Sequence, residues 1–321
     1  MKIMDAMKYL YENENKVLLN NDTKLGLDIL ADKIEAVALE TSEVWLEVHY
    51  NKKTDFIIEF KDLHKVKNLC KNMMQITCAK AHEAWEMISK LIDNILSNCV
   101  LITFMHVMTI EFDMNEIKEK NFCPCFFFEF DVENMRHRTE YRVEEIYEAF
   151  FGIVKHEFDC VEEIDNLNFI LQENLLIWNV GFMMTRENVL RIVSTPIPAN
   201  TVQLLLNKLD YDKTACKRFV EDDDAEIVID FDIEADNFNN FGLGIYYKKY
   251  QKRITFIDNL FAKGLITKQE LDVIKNWQHR KVVRKENNVS LIQWQYAHYK
   301  VKYNEHNSCP KVYLRVREIT G

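Results

Sequence analysis

Three short segments place two carboxylates on either side of a phenylalanine. They are Glu111-Phe-Asp113, Glu129-Phe-Asp131 and Asp230-Phe-Asp232. On a β-strand, side chains two residues apart point to the same face and lie about 7 Å from each other. In a confined space, such crowded negative charge raises a carboxyl pKa or attracts a cation. The pattern therefore predicts a general acid/base or an Mg2+ site, although acids at solvated strand ends would give the same sequence.

Basic and aromatic side chains alternate in the later strands. Arg and Lys bind phosphate oxygens through charge-assisted hydrogen bonds, and aromatic faces stabilise a positive charge. The candidate binding residues are Arg191, Lys248, Lys300, Arg315, Tyr246, Tyr296 and Tyr313. The candidate catalytic residues are Glu111, Asp230, Asp232 and His298. A solvated edge strand is the alternative interpretation of the basic run 311–317.

Period-2 hydrophobicity predicts the strands that carry these residues. In the stretch 227–249, Ile227, Ile229 and Phe231 alternate with polar residues, and Asn, Asp and Gly separate this run from a second alternating run. Two such runs joined by turn residues predict a β-hairpin. Similar pairs of runs occur at 44–60, 104–131, 178–195 and 291–317. The chain is therefore predicted to contain five hairpins.

Helical spacing of apolar residues separates the hairpins. The predicted helices include 63–74, 79–95, 143–154, 161–172, 202–209, 216–220 and 253–263. A capping box at Thr267 and Glu270 predicts the start of a further helix that ends near Trp277. We expect a single domain over 1–321, with N-terminal helices in 1–40 and repeated hairpins and helices in 41–321.

Ten antiparallel strands cannot all bury polar faces in a dry core. A closed α+β barrel solves this problem if the apolar strand faces pack against outer helices and the polar faces line the lumen. With ten strands, the lumen is wide enough for a ligand. We therefore predict a ten-stranded antiparallel β-barrel with a site inside it.

Composition excludes several classes of protein. The chain has 321 residues, 48% of them hydrophobic, and a net charge of -10 with a pI near 5.5. This balance argues against nucleic-acid and membrane partners, because both need a basic surface. The charged start of the chain does not look like a signal peptide, and the eight cysteines show no CxxC spacing. We expect a soluble cytoplasmic protein with reduced thiols and no metal held by cysteines.

The order of elements from about 44 to 317 resembles the ABBA prenyltransferases, whose ααββ units form the PT-barrel fold. In the last third, Gly242-Leu243, Gly264-Leu265, the run 297–301 and the run 311–314 are similar to uncharacterised bacterial proteins found near ribosomal peptide natural-product (RiPP) genes. The resemblance to the enzymes implies that Arg191, Lys300 and Arg315 grip an allylic diphosphate. It also implies that Tyr246 and Tyr313 shield a carbocation, with Glu111 or Asp230 as the base.

Three functional hypotheses follow. The first is prenyl transfer from an allylic diphosphate, with or without Mg2+, to a precursor peptide or a small aromatic acceptor in RiPP biosynthesis. The second is cofactor-independent acid/base tailoring of a peptide, such as epimerisation at an α carbon, because the lumen combines acids, His and Lys. The third is a non-catalytic barrel that binds a peptide or another ligand.

Overall fold

The computed structural model describes most of the chain, with gaps. The described residues are 2–12, 21–35, 43–49, 54–119, 121–138, 140–157, 176–184, 189–198, 201–202, 225–233, 238–247, 250–277, 279–285, 288–302 and 309–320. The predicted helices at 161–172 and 216–220 lie outside these ranges, as does all but the first residue of the predicted helix at 202–209.

Ten helices are found in the described ranges. They are α1 (Ile3–Glu12), α2 (Asn21–Glu35), α3 (Leu63–Ile76), α4 (Ala79–Ser97), α5 (Leu101–Phe104), α6 (Met114–Lys118), α7 (Val132–His137), α8 (Val143–Glu157), α9 (Tyr250–Ala262) and α10 (Lys268–Asn276). The predicted capping box is present, since Thr267 and Glu270 hydrogen bond to each other's backbone N–H at the start of α10. No helix in these ranges is both long enough and apolar enough to cross a membrane.

Twelve strands form one antiparallel sheet. They are β1 (Glu43–His49), β2 (Thr54–Phe60), β3 (Val107–Asp113), β4 (Cys125–Glu129), β5 (Ile177–Met183), β6 (Val189–Ser194), β7 (Ile197–Pro198), β8 (Glu226–Ile233), β9 (Phe238–Tyr246), β10 (His279–Lys285), β11 (Asn288–Lys302) and β12 (Cys309–Thr320). All five predicted hairpins contribute to this sheet. Within the second hairpin, however, 101–104 is a helical turn, and the strand begins only at Val107.

The number of strands differs from the predicted ten. Neighbouring strands follow the path β10-β11-β12-β1-β2-β3-β4-β5-β6-β8-β7, and β9 lies off this path, paired with both β8 and β11. No pairing joins the two terminal strands of the path, β10 and β7, over their described residues. The predicted count of ten strands is therefore corrected to twelve, in an α+β fold in which strand pairing runs from β11 through β12, β1, β2, β3, β4, β5, β6 and β8 to β9, and β9 pairs with β11. The additional strands are β7 and β10, which pair only with β8 and β11 respectively.

The two faces of the sheet have different environments. Alternate apolar side chains such as Leu46, Phe56 and Phe126 are completely buried in the main hydrophobic core. Helices cover this face, and the indole of Trp85 on α4 donates a hydrogen bond to the carbonyl of Phe122 within the core. Burying so many large apolar side chains is the main stabilising contribution to the fold. The opposite strand faces carry most of the charged residues considered below.

Candidate functional site

One cavity is lined by side chains from ten of the twelve strands. Its volume is about 180 Å3, and only β7 and β10 contribute nothing to it. On seven of these strands the two lining residues are two positions apart, as at Trp45 and Glu47 on β1 or Thr109 and Glu111 on β3. On β5 they are adjacent, at Trp178 and Asn179, where the register with β6 shifts. This is the face that the period-2 pattern predicted to be polar. Ten strands therefore point one set of side chains at a common space.

Carboxylates are the most numerous charged groups around this cavity. The described lining includes Glu47, Glu59, Glu111, Glu129 and Asp230. Two cations, Arg191 and Lys300, lie among them. Six of the eleven predicted site residues line this cavity, and the other five, described below, do not appear in its described lining: Asp232, Lys248, Tyr296, His298 and Arg315.

The acid-Phe-acid segments divide their two carboxylates between two tasks. Glu111 and Glu129 line the cavity, whereas Asp113 and Asp131 accept hydrogen bonds from the backbone N–H groups of Asn115 and Asn134. These aspartates are the N-caps of α6 and α7. The predicted crowding of each pair in one space is therefore wrong for these two segments, because the second acid of each begins a helix.

The third segment forms a buried ion-pair network. Asp232 accepts two hydrogen bonds from Arg191, from Nε to Oδ1 at 2.5 Å and from Nη2 to Oδ2 at 2.8 Å. Asp230 lies between two cations, with its Oδ2 at 2.6 Å from Lys300 Nζ and 3.9 Å from Arg191 Nε. The network joins β6, β8 and β11, so the predicted meeting of residue 230 with the basic hairpin is observed.

Burial and charge act in opposite directions on the cations of this network. Burial alone would lower the pKa of Arg191, but the hydrogen bonds and charge of Asp232, together with the charge of Asp230, raise it. The pKa of Lys300 is lowered by burial, which the charge of Asp230 only partly offsets and the charge of Arg191 reinforces. Arg191 is therefore firmly protonated, and Lys300 depends on Asp230 for its charge.

A second buried group surrounds Glu47. Its carboxylate accepts hydrogen bonds from Lys311 Nζ and from the hydroxyl of Tyr313. Burial, followed by the charges of Glu47 and Glu111, raises the pKa of Tyr313. Tyr313 thus faces the cavity as a neutral phenol.

Arg315 lies outside the cavity lining. Its Nη1 is 3.5 Å from a carboxylate oxygen of Glu43, its Nη2 donates to Gln295, and its guanidinium is 5.0 Å from the ring centroid of Trp45. The predicted diphosphate grip by Arg191, Lys300 and Arg315 would need these cations to share or exchange their present partners. Lys248 is outside the described residues, and of Tyr296 and His298 only the backbone in β11 is described.

Two glutamates on the polar face have pKa values near neutrality. Burial raises the pKa of Glu129 to about 7; the hydrogen bond with Trp178 lowers it and the charge of Glu59 raises it. Burial and then Glu59, its cross-strand neighbour, raise the pKa of Glu43 to about 7. A carboxyl with a pKa near 7 can both accept and return a proton under physiological conditions. Glu129 lines the cavity and is therefore a candidate acid/base, which the sequence indicated only as part of an acid-Phe-acid segment and not among the four candidate catalytic residues.

Aromatic rings complete the wall. Trp45, Phe127, Trp178, Tyr246 and Tyr313 all line the cavity. Burial and the charge of Asp230 raise the pKa of Tyr246, so its ring is also neutral. The sequence pattern predicted the two tyrosines as site residues, but not Trp45, Phe127 or Trp178. The only indication for these three was that they alternate with apolar residues on β1, β4 and β5, on the same strand face as the polar residues.

A larger cavity adjoins the first. Its volume is about 690 Å3, and it shares Glu129 and Trp178 with the smaller cavity. Its wall also contains His106, which is exposed just before β3. We call the two spaces the inner cavity and the outer cavity.

The expected Mg2+ has no evident set of ligands. Within the ranges that the structure describes, no three His, Cys, Asp or Glu side chains are grouped so that they could share a metal ion. Two of the acids of the inner cavity pair with other side chains instead: Glu47 binds Lys311 and Tyr313, and Asp230 lies between Lys300 and Arg191. The aspartate run 222–224 is outside the described residues.

Comparisons with known proteins point to one fold. The chain is similar in structure to 6-dimethylallyltryptophan synthase from Micromonospora olivasterospora in complex with DMASPP and Trp, with a TM-score of 0.51 and 12% identity over 85% of this chain and 80% of that chain. It is also similar to AnaPT from Neosartorya fischeri, with a TM-score of 0.50 and 10% identity over 95% and 90% of the two chains. No family model matches the sequence, and no curated protein matches it.

These structural similarities identify the fold of the protein. This is an α+β protein with the fold of the ABBA-type aromatic prenyltransferases, as the order of its elements predicted. At these levels of identity the likeness concerns the fold. The chemistry must be argued from the residues of this chain.

Proposed function

We propose that this protein is an enzyme that transfers a prenyl group from an allylic diphosphate to an aromatic or peptide acceptor inside the inner cavity. The observation that carries the proposal is the convergence of two cations, several carboxylates and five aromatic rings in one cavity of a prenyltransferase-like fold. Each of these groups has a use in that reaction.

In the proposed reaction, the bond between the allylic carbon and the diphosphate oxygen breaks, and diphosphate leaves with the electron pair. Arg191 and Lys300 are the described cations that would stabilise the departing charge. The rings of Trp45, Trp178 and Tyr246 would stabilise the allylic cation through their π faces. Glu111 or Asp230 would accept the proton that the acceptor loses when the new bond forms. No step is assigned to Mg2+.

We place this activity in peptide tailoring, in the setting of ribosomal peptide natural products. The size of the outer cavity supports a peptide acceptor, because the inner cavity alone, at about 180 Å3, is small for both a donor and a peptide. A small aromatic acceptor would need only the inner cavity.

The test is incubation with dimethylallyl diphosphate and peptides containing Trp or Tyr, with and without Mg2+, followed by mass spectrometry. We expect a product heavier by one prenyl group, lost in Lys300→Met and Glu111→Gln. Lys268→Met, at an exposed position on α10, is the matched control and should keep the activity. Absence of product, together with absence of diphosphate binding by calorimetry, would refute the proposal.

Acid/base chemistry is the second candidate, and Glu129 specifically favours it. This carboxyl lines the inner cavity with a pKa raised to about 7, beside the indole of Trp178. A group of this kind could remove and return a proton at an α carbon of a peptide. Deuterium uptake from heavy water without any other gain in mass, abolished in Glu129→Gln, would select this reaction over prenyl transfer.

A further inference from the structure

We propose that the outer edge of β10 is a docking site for an extended peptide segment in which two acidic residues flank an apolar one at alternate positions. The inference goes beyond the proposed function, because binding at this edge requires no reaction. It is drawn from the pairing of β10, from the charge of its exposed face and from the rows that this face forms across three strands.

β10 is an edge strand. It pairs with β11 along its whole length, and no other described strand pairs with it. Along an edge strand, every second residue directs its backbone N–H and C=O groups away from the sheet, where an added extended chain can pair with them. Val282, in the middle of β10, is 63% exposed, so this edge is accessible.

The inward face of β10 is fixed to the rest of the fold by two contacts. The ring of His279 stacks on Trp294, with the ring centroids 4.0 Å apart. Lys281 Nζ lies 5.9 Å from the centroid of the Tyr9 ring on α1. β10 is therefore a preformed template, and a segment that binds beside it does not have to order this strand first.

The other face of β10 is basic. Arg280, Val282 and Arg284 alternate along it, and all three are exposed. The strand contains four Lys or Arg residues and no acid, in a chain whose net charge is -10. Glu286 follows in the sequence and, like the side chain of Lys285, lies outside the described residues. Positive charge is thus concentrated at one edge of an acidic protein.

Cross-strand register continues this charge onto the neighbouring strands. Arg280 lies opposite Gln293 of β11, which in turn lies opposite Arg317 of β12 and accepts a hydrogen bond from its Nε at 2.9 Å. Burial, followed by the charge of Arg315, lowers the pKa of Arg317. The charge of Arg280 lowers it as well, whereas that of Glu43, 3.5 Å from Arg315, opposes this effect. An acid placed beside Arg280 would relieve the crowding of positive charge.

A second row across the same three strands is apolar. Val282 lies opposite Leu291 of β11, and Leu291 lies opposite Ile319 of β12. Leu291 is half-buried and Ile319 is 39% exposed, so water reaches much of this row. An apolar side chain on a strand added beside Val282 would cover part of it.

These rows define the sequence that fits. Residues of an added strand that lie directly opposite 280, 282 and 284 share one face and are separated by single residues on the other face. Arg280 and Arg284 are therefore about 14 Å apart along the strand. The matching pattern is acid-x-apolar-x-acid, which is symmetric and fits a parallel or an antiparallel segment.

Other occupants fit this edge less well. Pairing of two copies of β10 about a two-fold axis at Val282 would place Arg280 opposite Arg284, and like charges directly opposite each other are destabilising. A nucleic acid would find no aromatic ring for base stacking among the three exposed residues of this face, and the net charge of -10 repels it. An acidic peptide complements both the charge and the backbone groups.

β12 connects this surface with the inner cavity. Tyr313 lines the cavity, and Arg315, Arg317 and Ile319 follow at alternate positions on the same face of the strand. A segment bound at β10 therefore lies beside the sheet face that leads to the cavity. The remainder of such a peptide could extend to the proposed reaction site.

Fluorescence anisotropy with labelled synthetic peptides tests the inference. One peptide carries Glu-Thr-Val-Thr-Glu between Gly and Ser flanks, and the other carries the same residues as Glu-Glu-Thr-Thr-Val. At pH 7 the first should bind the unmodified protein about tenfold more tightly, because only its two acids can face both arginines. Added salt should weaken this binding. Hydrogen exchange in 279–285 should slow when the first peptide is present.

Charge-reversed variants locate the binding. Arg280→Glu/Arg284→Glu should bind the first peptide at least tenfold more weakly and should gain binding of a Lys-Thr-Val-Thr-Lys peptide. Lys90→Glu/Lys268→Glu, at exposed positions on α4 and α10, changes the net charge equally and should leave both affinities within about twofold. Gain of binding cannot come from unfolding. If the β10 variant does not fold, the comparison of peptides on the unmodified protein decides the matter.

Several results would overturn the inference. They are equal affinity for the two acidic peptides, no binding of either, and tighter binding of a single-stranded oligonucleotide of the same charge. Self-association in sedimentation velocity that is lost in Arg280→Glu/Arg284→Glu would give the edge to a second copy and would also overturn it. Peptide docking without a prenyl product, or a product without docking, separates this inference from the proposed function.

Discussion

The buried ion pair of Arg191 and Asp232 should contribute strongly to the free energy of unfolding, and Asp232→Asn tests this directly. Asp232 is fully buried and Arg191 is 3% exposed. Asparagine keeps the shape of aspartate, but its amide N–H2 would replace one of the two acceptor oxygens and face a guanidinium N–H. The substitution therefore removes the negative charge and leaves one donor opposed to another.

The expected cost follows from these contacts. Removing one partner of a buried ion pair costs about 3 to 5 kcal/mol, because the other charge stays buried. Asp230 remains 3.9 Å from Arg191 and still neutralises part of its charge, which favours the lower half of this range. For 321 residues the entropy of unfolding is about 0.7 kcal/mol/K, so Tm should fall by about 4 to 6 °C.

The assay is urea unfolding followed by circular dichroism, with Tm as a second measure. Asp272→Asn is the control, because Asp272 pairs with Lys268 on the exposed face of α10 and its loss should cost no more than about 0.5 kcal/mol. The double variant Arg191→Met/Asp232→Leu should be less destabilised than Asp232→Asn. If Asp232→Asn loses no more stability than Asp272→Asn, the buried network does not stabilise the fold as argued.

Three further predictions concern other positions. The pKa of Glu129 is raised to about 7 in the fold, so between about pH 5 and 8 the folded state holds a proton that the unfolded chain has lost. The free energy of unfolding, measured from urea midpoints, should therefore fall as the pH rises through this range, and it should fall less steeply in Glu129→Gln. Gly242→Ala should destabilise, because its methyl group would overlap Asp230, whereas Gly152→Ala on α8 should stabilise by about 0.5 to 1 kcal/mol. Tyr147→Phe should cost about 1 to 3 kcal/mol in urea unfolding, because its hydroxyl both donates to and accepts from the backbone of β5.

Each of these has an outcome that counts against it. A stability profile of Glu129→Gln parallel to that of the unmodified protein would mean that this carboxyl does not carry the pH dependence. Equal melting temperatures for the two glycine variants would contradict the close approach at 242. Full stability of Tyr147→Phe would show that the backbone groups of β5 find other partners.

Alternation of apolar and polar residues was sufficient to predict the five hairpins. The paired runs at 44–60 and 227–249 correspond to β1 with β2 and β8 with β9. It could not reveal β10, because His279–Lys285 is mostly basic and Val282 is exposed, so no buried face leaves a period in the sequence. β7 is only two residues long, one of them proline, which ordinarily signals the end of a strand.

Which side chains of the site pair with each other depends on the register between strands that are distant in the sequence. Hydrophobic and polar patterns within one strand carry no information about this register. The polar face of each strand indicated that residues such as Glu111 and Lys300 share a space, and both line the inner cavity. That Arg191 pairs with Asp232 follows only from the alignment of β6 with β8, in which these two residues are direct neighbours. A single sequence offers no comparable clue to this alignment.

The division of labour within the acid-Phe-acid segments has an evolutionary consequence. Asp113 and Asp131 begin helices, a task that Asn, Ser or Thr performs nearly as well. Glu111 and Glu129, two residues earlier, line the inner cavity, where the proposed function places the substrate. Among related chains that act on different substrates, the first acid should therefore vary with the substrate, while the second should drift only among helix-capping residues.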